Sequence, residues 1–124
     1  MRAAVITALT GPDAVVVQER PEPVPGPGQV LVDVECAGVA FPDVLHTRGE
    51  YQRRPEVPFT PGWEVSGVVR AGAGAVRAGD RVAAMPITGG LAEVAELTQA
   101  LGAAAVELRV WKKSAEGRLG PSRT

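Results

Sequence analysis

Proline and glycine set the tightest limit on what this chain can fold into. Nine of its eleven prolines fall before residue 62, and twelve of its 15 glycines fall before residue 98. Together the two make up 26 of 124 residues, or 21%, against an ordinary share of about 12%. Proline fixes φ and removes an N–H, and glycine supplies the turn conformations other residues avoid, so this excess cuts the chain into short runs. Short runs favour strands over long helices, and a mainly β fold is the expectation.

Composition narrows the class further. There are 19 valines and 19 alanines but only five aromatic residues, so the core is built from small aliphatic side chains. Apolar residues make up 45% and the net charge is −1, which excludes a disordered tail and gives no electrostatic reason to expect nucleic acid. Cys36 is the single cysteine, which excludes an internal disulfide framework and any four-cysteine zinc lobe. No apolar run approaches the roughly 18 residues of a membrane span, and the start has no signal-peptide pattern. A cytoplasmic protein without a membrane partner is the expectation.

The runs read as follows. Residues 3–9 and 14–18 suggest a hairpin across the turn at Gly11, Pro12 and Asp13. Residues 21–28 (PEPVPGPG) form an extended loop. Residues 29–39 alternate, with Val30, Val32 and Val34 on one face and Leu31, Asp33 and Glu35 on the other. Residues 41–48 suit a short helix, with Pro42 in its first turn, Asp43 near the positive end and Gly49 to close it. Residues 50–61 are a proline-rich excursion too long for a simple turn, and so a candidate functional loop. Further strands are expected over 64–70, 81–85 and 91–97.

Few residues offer chemistry of their own. His46 and Cys36 lie ten apart with no second histidine or cysteine to complete a zinc site. We read them as a helix-surface histidine and a buried thiol. Ser66 has no nucleophile elbow around it. The glycine-rich run 72–79 (GAGAVRAG) leads into Asp80, Arg81 and Val82, a strand start, so it is a strand-to-strand turn and not a phosphate cradle. No complete nucleotide-binding βαβ unit is visible. Glu64, opening an apolar strand after Trp63, is expected to need a partner, since burying it bare is costly.

Residues 1–97 resemble the N-terminal, GroES-like domain of the medium-chain dehydrogenase/reductase superfamily, in particular the zinc-independent NADPH:quinone oxidoreductases. The matching stretches are residues 21–34, 37–52 (AGVAFPDVLHTRGEYQ), 58–69 (PFTPGWEVSGVV), 76–84 (VRAGDRVAA) and 89–97 (GGLAEVAEL). The resemblance implies a distorted β-barrel with one or two short helices, and hydride transfer from NADPH to an electron-poor quinone or enone. It implies a cleft wall containing Ala40, Phe41, Asp43, Tyr51, Trp63 and Glu64, with Tyr51 over the acceptor ring and Asp43 and Glu64 orienting loops. Asparagine often stands at the position of Ala40, on the nicotinamide side. In zinc-dependent relatives the ligand cysteine matches Ala40 and the ligand histidine matches Trp63; neither residue here binds zinc. The Rossmann half of such enzymes has no counterpart in this sequence, so the chain reads as a truncated substrate-side domain, inactive by itself. The alternative is a non-enzymatic barrel used for association.

After Leu97 the resemblance stops. Residues 1–97 carry a net charge of −4 and residues 98–124 a net charge of +3. Residues 98–124 are expected to be a helical, non-homologous tail, with helix over 98–117 on the spacing of Leu101, Ala104, Ala105 and Leu108. Trp111 is expected to anchor it on the face a second half would cover; if that face stays open, homodimer formation or self-association follows.

Overall fold

The computed structural model describes residues 1–98 and 109–111. Strands β1 (Arg2–Ile6) and β2 (Val15–Glu19) form an antiparallel ribbon, with a single 3-10 turn at Pro12–Ala14 between them. The chain continues through β3 (Gln29–Gly38), α1 (Phe41–Arg48), β4 (Glu64–Ala71), β5 (Arg81–Ala84), β6 (Val94–Thr98) and β7 (Arg109–Trp111). These last five strands make one antiparallel sheet in the order β6-β3-β4-β5-β7. Bridges Ala3↔Ala92 and Ile6↔Phe59 tie the ribbon to the segments beside the sheet. The mainly β expectation is met, and so is the single short helix between β3 and β4.

The core is as aliphatic as the composition requires. Val30, Val32, Val65, Val69, Val76, Val82, Ala84 and Leu97 form one buried cluster, without an aromatic side chain in it. Strand β4 alternates cleanly, burying Val65, Gly67 and Val69 and turning Glu64, Ser66, Val68 and Arg70 outward. Exposed ion pairs stitch its outer face: Arg70 bridges Asp33 and Glu22, and Arg81 reaches Glu35. Each such pair contributes at most about 1 kcal/mol.

Three expectations fail here for physical reasons. Strand β3 does not alternate over its first half: Val30, Leu31 and Val32 are all buried. Register shifts between Leu31 and Val32 and again between Val34 and Cys36 break the two-residue period. Cys36, read as a buried thiol, is exposed. The helix expected over 98–117 is a strand over Arg109–Trp111, which pairs with β5 through Arg81↔Trp111, Val82↔Val110 and Ala83↔Arg109. Pairing along the β5 edge outweighs the local helical spacing, and Val110 and Trp111 are themselves good strand formers. The other residues of that expected helix, beyond Thr98, lie outside the described residues. The glycine-rich run 72–79 is a strand-to-strand turn as read, with Ala73 bridged to Val76 before β5 begins.

Close approach of β4 to β3 depends on one glycine. A Cβ on Gly67 would collide with the Asp33 carbonyl oxygen and come within 3.0 Å of the Val32 side chain. Gly67→Ala is therefore expected to cost roughly 2 kcal/mol through overpacking, read as a lowered thermal midpoint. An unchanged midpoint would show that the two strands can move apart freely.

Candidate functional site at the helix and the 61–64 corner

Helix α1 buries a polar stripe. Asp43, His46 and Thr47 are its buried residues, at i, i+3 and i+4, while Phe41 is 73% exposed. The helix starts because Ala40 is extended and Pro42 occupies the first turn. It ends at Gly49, whose φ of 67° permits the left-handed cap. Thr47 closes a local bond by donating its hydroxyl to the Val44 carbonyl at 2.6 Å.

Asp43 joins the helix to the corner. Its Oδ2 accepts the Ala40 N–H at 2.9 Å, the carboxylate half of a capping arrangement to which Ala40 can return no side-chain bond. Its Oδ1 accepts the Gly62 N–H at 2.9 Å in a buried bond. Gly62 has φ 123°, and a Cβ there would collide with the Leu91 amide and lie 2.7 Å from the Gly90 carbonyl carbon. From the other side Leu91 N–H donates to the Pro61 carbonyl at 2.9 Å. Residues 61–64 are thus held between α1 and the turn at 89–91.

An aromatic cluster sits on this corner. His46 is 1% exposed and lies against three rings. Tyr51 meets it edge-on at 4.9 Å, Phe59 edge-on at 5.9 Å, and Trp63 stacks on it at 6.2 Å and 20°. Tyr51 is also edge-on to Trp63 at 5.4 Å. Both imidazole nitrogens and the Trp63 Nε1 are buried without hydrogen-bond partners among the described residues. Burial pushes the His46 imidazole below its ordinary pKa, opposed by the Asp43 charge and by the Arg53 main chain. His46, read as a helix-surface histidine, is instead the centre of this cluster. Its distance of three residues from Asp43 on a helix was the signal that could have placed it there.

The six expected cleft residues divide into two groups. Ala40, Asp43, Tyr51 and Trp63 come together around the corner, while Phe41 points to solvent. Glu64 is exposed and lies over Gly38, so the partner expected for it is not needed. The parity of β4 turns it outward into an open cavity of about 510 Å³ lined by Cys36, Gly38, Glu64, Ser66 and Met85. Of the six, only Glu64 lines that cavity. Phe59, Cys36, Ser66 and Met85 were not anticipated, and the last three follow from strand parity across β3, β4 and β5.

Comparison with known proteins gives a consistent relationship. Residues 26–114 match the alcohol dehydrogenase GroES-like domain. Over 87 residues the chain is 45% identical to the mouse synaptic vesicle membrane protein VAT-1 homolog, covering 66% of this chain and 21% of that one. Over 85 residues it is 52% identical to the rat quinone oxidoreductase-like protein 2, covering 65% and 23%. The crystal structure of the Thermus thermophilus quinone oxidoreductase, also solved with NADPH, superposes with a TM-score of 0.68 at 36% identity, covering 86% of this chain and 31% of that one. The chain thus spans less than a quarter of the length of these two curated relatives.

The Asp43 bonds can be tested directly. Asp43→Ala removes the acceptor of two amides, one of them buried, and is expected to cost about 3 kcal/mol. Asp43→Asn keeps one acceptor oxygen and is expected to cost about 1 kcal/mol. Denaturant unfolding of both variants measures the difference; equal, small losses would show that the carboxylate does not hold the corner.

Proposed function

This chain belongs to the alcohol dehydrogenase GroES-like domain family, and from that premise we propose that it is the acceptor-side domain of a zinc-independent, NADPH-dependent reductase of quinones or enones. The observation that carries this reading is the Tyr51–Trp63 pair, held edge-on at 5.4 Å on a corner fixed by Asp43. A flat, electron-poor acceptor needs one apolar ring face with a polar group beside it, and a tyrosine set edge-on to an indole supplies both. The similarity to quinone oxidoreductases supports the same reaction class. Zinc independence rests on residue chemistry, because Ala40 and Trp63 carry no zinc-ligating atom.

The described residues do not fit the cofactor's pyrophosphate. A dinucleotide is gripped where a glycine-rich turn opens onto a helix N-terminus. The glycine-rich run 72–79 opens onto strand β5 instead. The N-terminus of α1, the one α-helix among the described residues, already holds the Asp43 carboxylate, which would repel a phosphate. The part assigned to these residues is therefore to hold and orient the acceptor and to keep water from one of its faces. NADPH alone is expected to bind this chain weakly.

Titration of the isotope-labelled full chain with duroquinone tests the reading. This quinone is fully methylated, so it cannot alkylate the exposed Cys36. The expected result is saturable shifts of the Trp63 indole and Tyr51 amide resonances, lost in Tyr51→Ala. Shifts confined to the far side of the sheet, or none, would contradict it.

A further inference from the structure

We propose that His46 is a proton-operated release for the 61–64 corner: when the imidazole takes up a proton, it draws the Asp43 carboxylate away from the Gly62 amide and frees Trp63 and the loop before it. The geometry leaves the protonated ring few choices. An imidazolium carries two N–H donors, and both nitrogens of His46 are buried without a partner. The rings around it, Tyr51, Phe59 and Trp63, accept no strong hydrogen bond. The Arg53 main chain can accept one of the two N–H bonds, but a buried charge without a counter-ion stays costly, so the fold must either supply an anion or open.

The groups facing His46 are few. From α1 the nearby anion is Asp43, one helical turn back on the same buried face. From the loop come the Tyr51 phenol, the Phe59 ring and the Arg53 main chain, and from the corner comes the Trp63 indole. The neighbouring side chains of Arg48, Glu50 and Arg53 are exposed to water. Among the described residues Asp43 is thus the one buried anion on offer, and it is already committed to the Ala40 and Gly62 amides. Turning toward an imidazolium weakens one of those bonds. The bond to Ala40 is local to the helix, so the bond to Gly62, nineteen residues away, is the one whose loss moves another segment.

Linkage gives the direction. Burial holds the folded-state pKa of His46 below its ordinary 6.5, so the unfolded chain binds the proton more readily. The contribution of the neutral, packed imidazole is complete above pH 6.5 and is lost as the pH falls from there toward the lowered folded value.

The protein has one histidine, so a pH titration followed by magnetic resonance reports it without ambiguity. The expected result is that the His46 ring protons titrate with a midpoint below the ordinary histidine value. The Gly62 amide and the Trp63 indole N–H should shift with that same midpoint, while the Val32 amide in β3 does not. In His46→Phe, which fills the ring site without a titratable group, the response of Gly62 should vanish between about pH 7.5 and pH 5. A His46 midpoint at or above the ordinary value would overturn the proposal, as would a His46 transition that leaves Gly62 unmoved. Should H46F not fold, the titration of the unmodified protein decides alone.

Discussion

One carboxylate holds the two halves of the site together. Asp43 bonds the amide that begins α1 and the amide of Gly62, nineteen residues further on. Without it the helix would lose its N-terminal acceptor, and Gly62 would keep only its hydrogen bond to the turn at 89–91 among the described residues. The position of Trp63 and the packing of Tyr51 against it depend on that tie, and so does the burial of His46. The β-sheet core, made of valine, alanine and leucine, meets this corner through Val65, which lies against Gly90.

The fold was legible because its punctuation is strong. Proline and glycine mark the ends of β2 to β5, and Pro42 and Gly49 bound α1 as their backbone preferences require. What escaped sequence reasoning escaped it for two reasons. Strand β3 looks alternating through Val30, Val32 and Val34, but two register shifts bury Leu31 as well and leave Cys36 exposed. Residues 109–111 sit in a run whose spacing reads as helical, yet they pair with the edge of β5, a contact that no local window contains.

The site was half legible for a related reason. Helix faces are normally found by their apolar stripe, and α1 inverts the rule by burying Asp43, His46 and Thr47 while exposing Phe41. A polar inward face marks a helix whose packing serves positioning more than core formation. Glu64 shows the converse: judged from its apolar neighbours it needed a partner, but the parity of β4 sends it outward over Gly38. The open cavity it lines lies on the outer face of β3, β4 and β5, adjacent in sequence to the aromatic corner at both Gly38 and Glu64. The corner and the pocket on the sheet face are thus linked by two short backbone steps.

The central claim is that the Gly62 amide is locked by Asp43 and not merely near it. Native-state hydrogen exchange of that single amide tests the claim most directly. A locked amide exchanges as slowly as a core amide of the sheet, such as that of Val69, which donates to the Asp80 carbonyl. Above pH 6.5, where His46 is neutral, exchange at the rate of the exposed residues 52–54 would contradict the account, because it would mean that the corner opens without disturbing the fold.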